Sequence, residues 1–292
     1  MPARHLIDQI KGSNQLKCSA YLVLSGVLAL LLPAAPAAVD VAHETGIQAG
    51  FHSMYNLDFN AAHRRFDAWQ AAHPDDPMGP VSQAAAYLFS EFDRMGVLET
   101  ELFTDDDRFD ARKKPSPDLQ LKSQMLEALA HADQLADNAL AKQPGDTNAQ
   151  FAKVLALGLR SDYAAMIDKH NIDAIRYTKQ GRTLAEQLLK EKPDEYDAYL
   201  AVGMENYLAG SKAAPMRWML QLGGVETDKA DGIQKLEETA AHGDLLEPFA
   251  KLMLAVAALR DKDLPRACAL LRGLAIRYPQ NHLYSNELVQ CK

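Results

Sequence analysis

The chain has 292 residues, of which 48% are hydrophobic, 24% charged and only 7% aromatic. That is enough chain for one large or two small domains with a sizeable core, and the composition excludes whole-chain disorder and a polytopic membrane protein. A net charge of −8 argues against a nucleic-acid partner held by phosphate contacts. Three cysteines (Cys18, Cys268 and Cys291) are too few for a disulfide-rich scaffold or a paired-CxxC zinc site.

Residues 1–37 read as a secretory signal peptide. Arg4, Lys11 and Lys17 precede the apolar run Tyr21–Leu32, and Ala35-Pro36-Ala37 supplies the small-x-small site a signal peptidase accepts, with Ala38 a near alternative. The competing reading is an uncleaved membrane anchor through residues 18–38, although Pro33 and Pro36 shorten its continuous helix. Cleavage takes three basic residues and Asp8 from totals of 31 and 39, so the mature chain carries a net charge of −10. It would retain Cys268 and Cys291 in an oxidising compartment, where they either pair or stay as two small buried apolar groups.

From residue 38 onward the apolar positions follow a helical period. In 119–142 the residues Leu121, Met125, Ala128, Ala132, Leu135, Ala139 and Leu140 form one stripe, and Ala, Leu, Lys, Gln and Glu dominate. Short clusters interrupt the amphipathic stretches: His73-Pro-Asp-Asp-Pro77, Gln143-Pro-Gly-Asp146, Lys192-Pro-Asp194 and Tyr278-Pro-Gln-Asn281. The expectation is an all-α domain over 38–292, built from helical hairpins.

Gly50, Phe59, Ala62, Phe66 and Pro74 form one pattern, and Ala255, Ala267, Leu271 and Pro279 repeat it, each running 24 residues from the first small residue to the proline. Ala84 with Tyr87, and Gly203 after Tyr199 and Val202, begin further units ten residues past Pro74 and Pro193. On these residues the chain resembles the tetratricopeptide repeats, in which antiparallel helix pairs stack into a solenoid and a proline closes the second helix. Gly158 to Pro193 runs 35 residues, which reads as a longer pair starting at Gly158. Gly203 to Gly243 runs 40, leaving room for an inserted helix at 213–222.

The resemblance implies a concave groove lined by the first helix of each pair, and so a protein or peptide partner. Projected here, that face holds Phe51, Met54 and Tyr55; Val81, Leu88 and Phe89; Leu155, Leu159 and Tyr163; Leu200, Met204, Tyr207 and Leu208; and Leu252, Val256 and Leu259. Phe51, Tyr55, Phe89, Tyr163, Met204 and Tyr207 are the candidate groove residues. The Lys, Asn and Arg with which some members of the family clamp a peptide carboxylate are missing. The groove either takes an apolar ligand or hydrophobic peptide, or is closed and its side chains are core. The apolar insert, with Pro215, Met216, Trp218, Met219 and Leu220, is expected to fill it.

No reaction motif is present: no nucleophile elbow, Walker loop, Gly-x-Gly-x-x-Gly or His-Glu-x-x-His occurs. Asp105–Asp110 fails as a calcium loop, since Asp110 and Ser116 stand where Gly and Glu are needed. His52, His63 and His73 are too far apart for a helical metal site and read as surface or capping residues. Glu91 and Asp93, or Glu237 and Glu238, read as exposed helix faces. The sequence thus points to an exported scaffold that is not an enzyme and uses no metal, cofactor or nucleic acid. A carrier or sensor of an apolar small molecule and an uncharacterised helical-repeat enzyme are the alternatives. Membrane contact follows only if the N-terminal segment stays uncleaved.

Overall fold

A computed structural model describes residues 46–97, 116–211 and 227–291. The expected signal segment, the acidic run 105–110 and the expected 213–222 insert with Gly223-Gly224 lie outside the described residues. The described helices all belong to one compact unit, Asp40–Lys292. None is long and apolar enough to cross a membrane.

Among the described residues the chain is helical with no strand: α1 (Ile47–Tyr55), α2 (Phe59–Ala72), α3 (Met78–Arg94), α4 (Leu119–Lys142), α5 (Thr147–Tyr163), α6 (Asn171–Glu191), α7 (Tyr199–Gly210), α8 (Lys229–His242), α9 (Glu247–Arg260), α10 (Leu264–Arg277) and α11 (His282–Glu287). Consecutive helices pack, in the pairs α1–α2, α3–α4, α5–α6, α7–α8 and α9–α10, and each pair stacks on the next. The expected all-α array of tetratricopeptide-like pairs is the fold.

The second helix of every pair has one register. A small residue is followed four positions later by an apolar one, and the turn comes eight after that: Ala62, Phe66, Pro74; Ala132, Ala136, Pro144; Gly181, Ala185, Pro193; Gly232, Leu236, Asp244; Ala267, Leu271, Pro279. The first two residues of each set are buried. Four of the five sets end alike. The proline stands two residues past the helix, where it has no N–H to leave unpaired. A turn hydrogen bond then closes across it, from Asp76 N to His73 O, Asp146 N to Gln143 O, Glu195 N to Lys192 O and Asn281 N to Tyr278 O, all at 3.0–3.1 Å. Side chains of Asp58, Asp118, Asp146, Asp228, Asp263 and Asn281 cap the helices that follow them.

Two expectations need correction. Gly158 is not a close-approach position: it is exposed, and a Cβ there would meet nothing within 4 Å. The position equivalent to Ala84 and Gly203 is Val154, ten past Pro144, whose carbonyl lies 3.9 Å from where a Cβ on Gly181 would sit. The pair is longer, as its spacing implied. The extra length is a π-type turn, Ala164–Asp168, and a 21-residue α6. On α4 the fully buried line is Met125, Leu129, Ala132 and Ala136, so Leu129 and Ala136 replace Leu135 and Ala139 at its centre.

Among the described residues three non-glycine residues hold positive φ: Leu57 (61°), Lys169 (52°) and Lys262 (62°). Lys262 is exposed in the tight α9–α10 turn. Lys262→Gly should therefore raise stability by roughly 0.5–1 kcal/mol, because glycine enters this region without the Cβ clash. A urea midpoint that falls instead would contradict this.

Candidate functional site

The first pair of the array touches the last, across sequence separations of about 190–226 residues. The Tyr55 hydroxyl donates to Leu245 O at 3.0 Å, and Asn281 Nδ2 donates to Tyr55 O at 2.8 Å. Gln280 N donates to Asn56 Oδ1 at 2.9 Å, and Gln48 Nε2 to Asp244 Oδ2 at 3.0 Å. The Tyr278 ring lies 5.7 Å from that of Tyr55, 5.0 Å from His52 and 6.3 Å from Tyr284. Burial among these rings pushes the Tyr55 hydroxyl well above its usual pKa, so it stays a donor.

The loop that receives Tyr55 is itself held from the middle of the chain. Asp197, in the turn Tyr196–Ala198, accepts from the backbone N–H groups of Asp244 (3.3 Å), Leu245 (2.8 Å) and Leu246 (3.0 Å) at the start of α9. Burial raises its pKa to about 6 despite these bonds.

With its ends joined, the array has most of its projected groove wall filled. Phe51 packs edge-on against Phe66 at 5.4 Å, and Met54, Tyr55, Val81, Leu88, Leu159, Tyr163 and Val256 are buried. Phe89, Leu155, Leu200, Met204, Leu252 and Leu259 are half-buried. Tyr207 belongs to a second core cluster with Leu236, Met253, Leu254 and Ala257, and Met204 packs against it. Leu208 points away, 43% exposed.

Of the six candidate groove residues the structure brings Tyr55 and Phe89 together. They line an apolar cleft with Met54, Leu57, Phe249 and Leu252, and the Phe89 and Phe249 rings meet edge-on at 5.9 Å. Asn281 and, on α11, Leu283, Tyr284 and Glu287 form its remaining side, leaving about 20 Å³, room for one water molecule. Tyr163 stands elsewhere, under the Lys122 ammonium at 4.8 Å, where Lys122 bridges to Asp168 at 3.1 Å.

Glu91 is not on an exposed face. It is 2% exposed, takes both Arg94 bonds (2.6 and 2.8 Å), and accepts from Asp118 N at 2.7 Å, tying the end of α3 to the start of α4. Glu237 is exposed and pairs with Arg266 at 2.5 Å. His63 also departs from the surface reading: it is half-buried, bonded to Gln83 and set against the Tyr87 ring at 4.2 Å. His52 is half-buried beside Tyr278, while His73 does cap α2.

The sequence reading missed a polar network between α6, α7 and α8. Arg182 bonds Glu186 (2.8 Å) and Asn206 (3.1 Å), and Asn206 donates to Asp231 at 2.5 Å. Buried Glu205 lies 3.8 Å from Arg182. Glu205-Asn206 in an otherwise apolar helix was the available signal. Burial also raises Asp162, near the end of α5, to about 7. Cys268 and Cys291 form a disulfide, closing the choice that spacing left open. Among the described residues no three His, Cys, Asp or Glu side chains are arranged to hold a metal ion.

No protein-family model matches the chain. No curated protein matches it either. Among solved structures, a thermophilic tetratricopeptide-repeat protein of Thermus thermophilus is similar at 14% identity and a TM-score of 0.43, over 83% of this chain and 97% of that one.

Proposed function

We propose that the protein is an exported interaction scaffold whose cleft between the first two helix pairs and the last receives an apolar helical segment of a protein partner. The observation that carries this is the cleft itself. There the apolar inner wall reaches the surface at Leu57, Phe89, Phe249 and Leu252, and a short helix of the chain's own, α11, is already seated against it. Stacked helical pairs act by presenting such surfaces and need no cofactor. The disulfide supports export, since such bonds persist outside reducing compartments.

The test uses the mature chain, carrying a photocrosslinker at Leu252 on the cleft wall, as bait in its native envelope fraction. N-terminal sequencing of the exported chain should begin at Ala38 or Val39. One stoichiometric partner should crosslink at the cleft. Leu57→Asn, which suits the positive φ while removing the apolar lip, should lower its recovery about tenfold, the scale of one buried apolar side chain at an interface. Co-purifying lipid with no protein, or equal capture by Leu57→Asn, would overturn the reading.

A further inference from the structure

We infer that residues 282–291 are a redox-held lid on this cleft, released when the Cys268–Cys291 disulfide is reduced. The inference rests on the cleft being a binding site. The observation behind it is that the segment covering the cleft is also the segment the disulfide ties down.

Asn281 is the hinge: its side chain bonds both Tyr55 O (2.8 Å) and Leu283 N (3.0 Å), so the chain up to this point is anchored on α1. Beyond it, α11 presents Leu283 and Tyr284 to the cleft, and Leu288 packs on the core. One ion pair with the body runs from His282 to Asp93 at 3.8 Å, with both side chains partly in solvent. The bond from Cys291 back to Cys268 on α10 closes the tail over a separation of 23 residues. Two apolar side chains on a six-residue helix, with Leu288 just past its end, are a small apolar hold beside that covalent tie.

The two sulfurs differ in access. Cys268 is 5% exposed and sits on the inner face of α10, whereas Cys291 is half-buried at the end of the tail. A dithiol reductant attacks Cys291 Sγ through its thiolate. The S–S bond breaks, and Cys268 leaves as a thiolate that takes up a proton. The second thiol of the reductant displaces Cys291 from the mixed disulfide. The protein has then gained two electrons and two protons, and the dithiol has become a disulfide. Freed at Cys291, the tail swings about Asn281 and uncovers Tyr55, Phe89, Phe249 and Leu252.

Amide exchange on the full mature chain, oxidised and after dithiothreitol, tests this. Reduction should speed exchange in 283–288 on the order of 100-fold, the effect of removing one loop-closing bond of this length. Exchange in α2–α8 should stay unchanged, and a solvatochromic apolar dye should bind more strongly. The double variant Cys268→Ala/Cys291→Ala should show the same without reductant. Unchanged exchange in 283–288 would overturn the lid, since packing alone would then hold the tail. Cooperative unfolding of the whole chain on reduction would overturn it too, making the bond a general staple. Fast exchange in 283–288 with no gain in partner capture would leave the lid standing and count against the binding reading alone.

Discussion

Gly232→Ala is expected to destabilise the protein by roughly 3 kcal/mol, the upper range for overpacking, because the new methyl group meets backbone on two sides. A Cβ at Gly232 would lie 2.9 Å from both Gly203 O and Tyr207 Cα, and closer still to Tyr207 N. At Gly203 it would stand 3.0 Å from Gly232 O and 3.1 Å from Leu236 N, and at Gly210 2.6 Å from Lys229 N. Helices α7 and α8 thus cross backbone to backbone, with no flexible side chain to give way. The control is Gly158→Ala, which should stabilise by roughly 0.5–1 kcal/mol through helix propensity, since a Cβ there meets nothing within 4 Å. Urea unfolding of both variants reads the contrast. Equal midpoints would mean that the crossing is not tight.

The second large effect is expected at Asp197. Asp197→Ala leaves three backbone N–H groups at the start of α9 without their acceptor, at a cost of roughly 3–5 kcal/mol. The loop they hold also receives the Tyr55 hydroxyl, so the join between the first and last pairs should loosen together with α9.

The pH dependence has a definite sign. Burial, reinforced by Asp244, outweighs the hydrogen bonds to Leu245 and Leu246 and raises the folded pKa from 3.8 to about 6. The folded chain therefore holds this proton better than the unfolded one. The resulting stability is fully present below the unfolded pKa and is lost as pH rises through about 6. The gap between the native chain and Asp197→Ala should thus widen, by roughly 2 kcal/mol between pH 7 and pH 4.5. A gap that narrows on acidification would show that the bonded carboxylate is favoured over the neutral acid.

Much of the architecture was legible because helical hairpins write it locally. The proline two residues past each of four second helices, the carboxylate caps and the small residue four before an apolar one all act within a few turns of chain. Counting from the first helix nevertheless found only two regular repeats. The reason is physical: extra residues enter ahead of the small residue of the second helix, partly before that helix and partly in its first turns, since α4 and α6 run 24 and 21 residues against 14 in α2, α8 and α10. Counting back from the turn restores all five sets, and Gly232-to-Leu236 was visible at the same four-residue step as Ala62-to-Phe66.

The site was less legible. Tyr55 and Phe89 were named, but in a set with Phe51, Tyr163, Met204 and Tyr207 that does not converge, because a one-dimensional projection of the inner face assumes an open, evenly curved groove. Here side chains from opposite ends of the chain close it. Glu91 and His63 look solvent-facing on their own helices; Glu91, paired with Arg94 one turn on, is met by Asp118 at the start of α4, and His63 is covered by Gln83 and Tyr87 of α3.

Composition and spacing thus sufficed for an all-α array of stacked pairs, since periodicity, capping and turn chemistry are local and repeat with the chain. Whether the inner face was open, whether Tyr55 would meet Phe89, and whether Cys268 reached Cys291 all turned on contacts between different elements. Those outcomes belong to packing. A contact between residue 55 and residue 245 exists only once every intervening pair has added its own small rotation, and no local pattern records that sum.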